Sequence, residues 1–343
     1  MKNLIKLSII LLLVFIYSFG AHKSRQDAQN IAATWFQSNT LAKNKKKTVD
    51  RTETKNFQGR EVFHIINLKP TGFIIVSADD NARPVLAYSE TQTFDTETDH
   101  PGIKAFLDQY ARYVYRSSQV PNPVNNELWH NISKASAISD TIDPLINTLW
   151  DQNWPYNKYA PIDSTAGSYN NYRTYAGCVA TTMSQIMKYY NYPDVGLDSS
   201  SYPHPDYGTL SAHYDSTIYE WDKMKRVIFS HSPAADIDPI ARLMYHCGIS
   251  VEMGYGPEGS GAFSQQVPDA MNKFFDYSSE IHLYSRNSFS DQSWEKLLIA
   301  ELYDGRPIYY AGDDQESGHA FVCDGYRNRQ ALGNYFHFNW GWS

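Results

Sequence analysis

Residues 117–140 interrupt a chain whose flanking segments are both apolar enough to form cores. The stretch holds Pro121, Pro123, the nearby Asn122, Asn125 and Asn126, and scattered serines. Such a composition buries little apolar surface, and it is expected to be an exposed, protease-accessible linker. At 343 residues and 42% hydrophobic content, two domains are the natural division. The expected organisation is a leader over 1–20, a first domain over 21–117, the linker over 118–140, and a second domain over 141–343. The formal net charge is −7, and no dense Lys/Arg block occurs beyond residues 43–47, which argues against a nucleic-acid surface.

The N-terminus carries Lys2 and Lys6 before an apolar run over 7–17, followed by Ser18, Gly20 and Ala21. This is the pattern of an export signal removed near Gly20 or Ala21. The run is short of the roughly 20 apolar residues that span a bilayer, and no later segment approaches that length. Before Cys178 there is no cysteine to take a lipid, so secretion or periplasmic release without a membrane anchor is expected.

In the first domain Ser24 and Asp27 form a capping-box pattern ahead of a helix with Ala28, Ile31, Ala32, Trp35 and Phe36 on one face. Residues 62–66 and 73–76 are expected strands joined by a turn at Pro70, Thr71 and Gly72, and residues 103–115 an amphipathic helix. In the second domain helices are expected over 178–190, 239–247, 264–275 and 293–303, then strands over 308–311, 319–324 and 335–340. Helices precede strands, so the class is α+β, not an alternating parallel sheet.

Three cysteines in an exported chain leave at least one thiol unpaired. Cys178 follows Gly177 and opens an apolar helix, where the helix N-terminus favours a thiolate and free N–H groups can hold an oxyanion. A cysteine in such a place is structural more often than catalytic. His319 begins a strand; a hairpin symmetric about 329 sets Asn339 opposite it, so that an amide carbonyl can orient the imidazole. The separation of Cys178 and His319 falls in the roughly 130 to 150 residues typical of papain-like nucleophile and histidine. Gln152, upstream of the cysteine, suits a side-chain oxyanion donor, or is an ordinary surface residue. Trp340 and Trp342 either shield the Cys/His pair from water or are core. His246 and Cys247 are expected in the core, and Cys247 and Cys323 are expected to be free. No metal-ligand motif is present.

The chain resembles the streptopain and interpain family of secreted bacterial cysteine peptidases, related in fold to papain. The resemblance rests on Gly177-Cys178-Val179-Ala180-Thr181 running into Gln185-Ile186-Met187-Lys188-Tyr189, on Tyr255-Gly256-Pro257, on Gly318-His319-Ala320-Phe321-Val322 and Asp324-Gly325, and on Asn339-Trp340-Gly341-Trp342. The first domain is similar to the family's propeptide at residues 72–80 and 84–89. The resemblance implies a papain-like peptidase domain behind an inhibitory α+β propeptide, with Cys178 as nucleophile and His319 as general base and acid. It further implies Gln152 as oxyanion donor, Asn339 and Trp340 as supports of His319, and a substrate-binding wall over 254–262 with Ser260 and Gly261. Protein or peptide substrates and the chain's own propeptide are the implied partners, and no metal or organic cofactor. Family members continue about forty residues beyond the second tryptophan, so the peptidase domain is expected to be truncated at Ser343. A non-catalytic binding or inhibitory protein and a Cys/His amidase acting on cell-wall peptides are the competing readings.

Overall fold

The structure is a computed structural model that describes residues 21–39, 47–97, 101–132, 140–313, 318–329 and 332–342. The expected leader lies outside the described residues. The chain forms two compact units, Met1–Thr98 with Phe106–Ser136, and Asp99–Ala105 with Ala137–Ser343. Among the described residues no helix is long and apolar enough to cross a membrane.

In the first unit helix α1 (Arg25–Asn39) starts on the expected capping box. The Ser24 N–H donates to Asp27 Oδ2 at 2.8 Å, and the Asp27 N–H to Ser24 Oγ at 3.2 Å. Its buried face, Ala28, Ala32, Trp35 and Phe36, serves an antiparallel sheet of β1 (Thr48–Phe57), β2 (Arg60–Lys69), β3 (Phe73–Ser77) and β4 (Val85–Ser89), in that order. Strand β1 has no apolar alternation because it is a charged edge strand, a composition that discourages pairing with other chains. Helix α2 spans Pro101–Ser117.

Helix α3 (Pro123–Asn131) occupies much of the stretch expected to be a linker. Pro123 starts it where a missing N–H costs nothing, and Asn122 Oδ1 caps it by accepting from the Asn125 N–H at 3.1 Å. The asparagines that read as linker composition dock the helix: Asn125 Nδ2 donates to the Asn81 carbonyl at 2.7 Å and Asn126 Nδ2 to that of Asp80 at 2.8 Å. Trp129 Nε1 donates to the Ala82 carbonyl at 2.9 Å.

The second unit contains β5 (Asp140–Ile142), α4 (Cys178–Tyr190), β6 (Ser199–His204), β7 (Gly208–His213), α5 (Ala234–Ser250), α6 (Val267–Phe275), α7 (Asp291–Tyr303), β8 (Ile308–Asp313), β9 (Gly318–Arg329) and β10 (Gly333–Asn339). The 12-residue β9 organises the sheet. Its first half pairs with β8 and its second half with β5 along one side, and β10 lies on the other, all antiparallel. Helix α4, buried from Val179 to Met187, packs against α5 and β9 in a core that includes Trp150, Tyr156, Tyr214, Leu243 and Phe275. This helices-then-sheet arrangement is the expected α+β class.

Two local expectations differ. Helix α5 begins five residues before Pro239, which lies inside it instead of at its start. The β9–β10 register also differs: Asn339 faces Val322, not His319. Strand β9 runs on to Arg329, which moves the turn beyond 329, and a bulge between His337 and Phe338 shifts the register again.

Candidate active site

Helix α4 starts at Cys178 because Gly177 turns the chain with φ +90°, a conformation that disfavours any side chain. There is also no room for one: a Cβ on Gly177 would lie 2.7 Å from the Met253 side chain and 3.3 Å from the Ser260 carbonyl oxygen. No side chain caps this helix end, so its first-turn N–H groups stay available near the sulfur.

Burial is the main influence on the Cys178 thiol and raises its pKa above the ordinary value, and the nearby backbone N–H groups of Ala320, Val179 and Cys178 itself favour the thiolate more weakly. The lowered pKa expected from the helix start is therefore not the net result, although the residue keeps partial solvent exposure. Cys178 packs on the core that contains Ala320, which directly follows His319 on β9, so two distant sequence motifs meet there.

His319 Nε2 is 2.9 Å from the Trp340 carbonyl oxygen. A carbonyl only accepts, so Nε2 carries the proton, and in the neutral ring Nδ1 carries the lone pair. The imidazole stacks on Trp342 with centroids 4.4 Å apart, and on Trp340 at 6.3 Å. Both tryptophans thus belong to the histidine's surroundings.

Asn339 acts on this arrangement through its neighbours. Its Oδ1 accepts from Gln185 Nε2 at 3.2 Å and from the Gly341 N–H at 3.0 Å, and its Nδ2 donates to the Thr148 carbonyl at 2.7 Å. Gln185 Oε1 accepts from Thr148 Oγ1 at 2.8 Å, closing a buried polar ring. Asn339 therefore fixes the backbone on both sides of Trp340, whose carbonyl holds the imidazole. Gln185 and Thr148 had no assigned role in the sequence reading. A signal existed for Gln185, a polar residue two turns from Cys178 on the same buried helix face.

Gln152 is buried, and its carbonyl accepts from the Ala176 N–H at 2.9 Å, two residues before Cys178. Ser260 Oγ donates to the Tyr175 carbonyl at 2.7 Å and accepts from the Gly256 N–H at 3.1 Å. Gly261 pairs with Gly254 through N–H to carbonyl bonds of 2.9 and 3.2 Å, closing the 254–261 loop beside the Gly177–Cys178 segment. Tyr309 joins this region unforeseen: its half-buried hydroxyl is 2.9 Å from Ser264 Oγ, and its ring packs against the core that Cys178 also borders.

All three cysteines are free. Cys247 sits in the main core, against Met187 and Ser184, whereas Cys323 packs with Leu302 and Tyr326 in a separate cluster, which keeps the two sulfurs apart. His246 is core as expected, 3.0 Å from the Tyr219 hydroxyl, with its pKa pushed down to about 4 by burial. Among the described residues no group of three His, Cys, Asp or Glu side chains is arranged to hold a metal ion.

The Spi protease inhibitor family profile matches residues 21–114, and that of the peptidase C10 family matches residues 150–343. Streptopain of Streptococcus pyogenes is 28% identical over 93% of this chain and 82% of its own length. The thiol protease/hemagglutinin PrtT of Porphyromonas gingivalis is 30% identical over 79% of this chain and 31% of that protein. The solved prointerpain A fragment of Prevotella intermedia superposes with a TM-score of 0.68 at 29% identity, covering 85% of this chain and 89% of that one. Active interpain A superposes with a TM-score of 0.53 at 33% identity, over 60% of this chain and 84% of that one. The chain belongs to the peptidase C10 family, as a cysteine peptidase carrying its own Spi-type inhibitor domain in zymogen form.

Proposed function

We propose that the chain is an exported cysteine endopeptidase in which Cys178 and His319 form the catalytic dyad and the first unit is removed on activation. The observation that carries this reading is that Cys178 packs on the core to which Ala320 belongs, directly after a histidine whose Nε2 proton is fixed on the Trp340 carbonyl. With Nε2 held, Nδ1 is the nitrogen that takes the thiol proton. Burial keeps the resting thiol protonated, so the thiolate is generated by transfer to His319 and not by the helix end alone.

Thiolate attack on the scissile carbonyl forms a C–S bond and an oxyanion, for which the α4 N-terminal N–H groups and the Gln152 side chain are the donors. Collapse expels the amine, protonated by His319, and leaves a thioester. Water, deprotonated by His319, then attacks the thioester, releasing the acid and restoring the thiol. The 254–261 wall, with Ser260 and Gly261, lines the substrate's path.

Processing falls between 133 and 142, where the units join. Within that window a cut before Asp140 leaves β5 whole on β9. Purified full chain and its Cys178→Ala variant, incubated in parallel with casein, test the reading. The parent is expected to shorten, with N-terminal sequencing placing the new end in this window, and to digest casein in a manner blocked by the thiol-directed inhibitor E-64. A folded parent that does neither overturns it.

A further inference from the structure

Beside the 254–261 wall, the β6–β7 hairpin and residues 252–255 border an open hollow of about 440 Å³, large enough for one or two amino-acid side chains. Its apolar surfaces include Tyr202, Pro205 and Tyr255, and the carboxylates of Asp206 and Glu252 stand at its exposed edge. No Lys or Arg lines it, and neither carboxylate has an ion-pair partner among the described residues.

His204, only 6% exposed, also lines the hollow. Its Nδ1 is 3.2 Å from the Asp206 N–H, which can only donate, so Nδ1 accepts and the proton lies on Nε2. Stacking on Tyr207 at 4.7 Å fixes the ring, and the Tyr207 hydroxyl is anchored on Asp163 at 2.6 Å. Nε2–H has no acceptor among the described residues. Nε2 keeps some exposure to solvent, and a fixed donor at the hollow suits a ligand that brings a carbonyl in place of water.

The hollow is coupled to the Gly177–Cys178 segment by one residue. Met253 contributes to its wall, accepts the Tyr202 hydroxyl proton on its carbonyl at 2.5 Å, and presses its side chain against Gly177.

We infer that this hollow is a substrate subsite on the side N-terminal to the cleaved bond, and that it selects a basic residue. The cationic head meets Asp206 and Glu252, its aliphatic stem lies on the aromatic and proline surfaces, and a substrate carbonyl accepts from His204 Nε2–H. The inference rests on the peptidase reading above.

Quenched-fluorescence peptides carrying Lys, Ala or Glu at each of positions two to four before the scissile bond test it, using the full chain after its activity has become constant. At one position Lys is expected to exceed Ala in kcat/KM by about fivefold, the order that two solvent-facing ion pairs supply. In Asp206→Asn/Glu252→Gln the Lys-to-Ala ratio falls to near one, and in Asp206→Lys/Glu252→Lys the Glu peptide overtakes the Lys peptide. Equal rates for Lys and Ala at all positions in the parent, or a preference that survives the double variant, overturn the inference. Absence of any cleavage, including of the Ala peptide, is the separate result that defeats the peptidase reading itself.

Discussion

Replacing Gly177 by alanine tests how the start of α4, and with it Cys178, is held. The added methyl meets the Met253 side chain at 2.7 Å, and the residue must keep φ near +90°. The left-handed conformation costs an L residue about 1–2 kcal/mol, and crowding a packed core adds about 1–3. The total of roughly 2–5 kcal/mol corresponds to a fall in Tm of roughly 5–15 °C for a unit of this size. Met253 is fully buried, so Met253→Ala alone costs about 2–5 kcal/mol through the cavity it leaves. In the double variant the methyl enters that cavity, and the penalty is expected to be smaller than the sum of the single ones by about 1–3 kcal/mol. Urea unfolding of the second unit, followed by tryptophan fluorescence in a Cys178→Ala background that suppresses self-digestion, measures the cycle. Additivity within about 0.5 kcal/mol refutes the reasoning, because it means that Met253 does not confine Gly177.

Asn339→Ala leaves Gln185 Nε2 and the Thr148 carbonyl without their partner, and is expected to destabilise the second unit by about 1–3 kcal/mol. By releasing the backbone around Trp340 it is also expected to lower kcat about 10- to 100-fold with a smaller change in KM, read from steady-state kinetics. Gln152→Ala, if the side chain donates to the oxyanion, lowers kcat by about 10²–10³ while E-64 labelling of Cys178 persists; an unchanged kcat removes Gln152 from the mechanism. In the first unit, His64 is fully buried between Thr54 Oγ1 at 2.9 Å and the Lys23 carbonyl at 3.0 Å, and burial lowers its pKa below the ordinary 6.5. The unfolded chain therefore binds the proton first, so stability is full above about pH 6.5 and declines as the pH falls below it. Melting of the Cys178→Ala chain between pH 8 and 5 should show this decline together with the one that His246 contributes, and His64→Gln should make it shallower.

Local signals in the sequence determined the starts of elements and the identity of the reactive candidates. The Ser24/Asp27 capping box, the Gly177–Cys178 helix start and the His319 strand each depend on energies set within a few residues, and each is found where the pattern places it. Prolines and asparagines were ambiguous because the same residues that break structure also begin and cap it. At 122–126 their meaning depended on carbonyls forty residues away, which accept from them and dock α3. Tertiary structure alone decided the protonation balance of Cys178, since desolvation by non-local neighbours outweighs the N–H groups of its own helix. It likewise decided how His319 is held: a longer β9 and a bulge in β10 removed Asn339 from the opposing position, and placed the Trp340 carbonyl on the imidazole instead. Register and burial sum contacts over the whole second unit, which is why no window of sequence contains them.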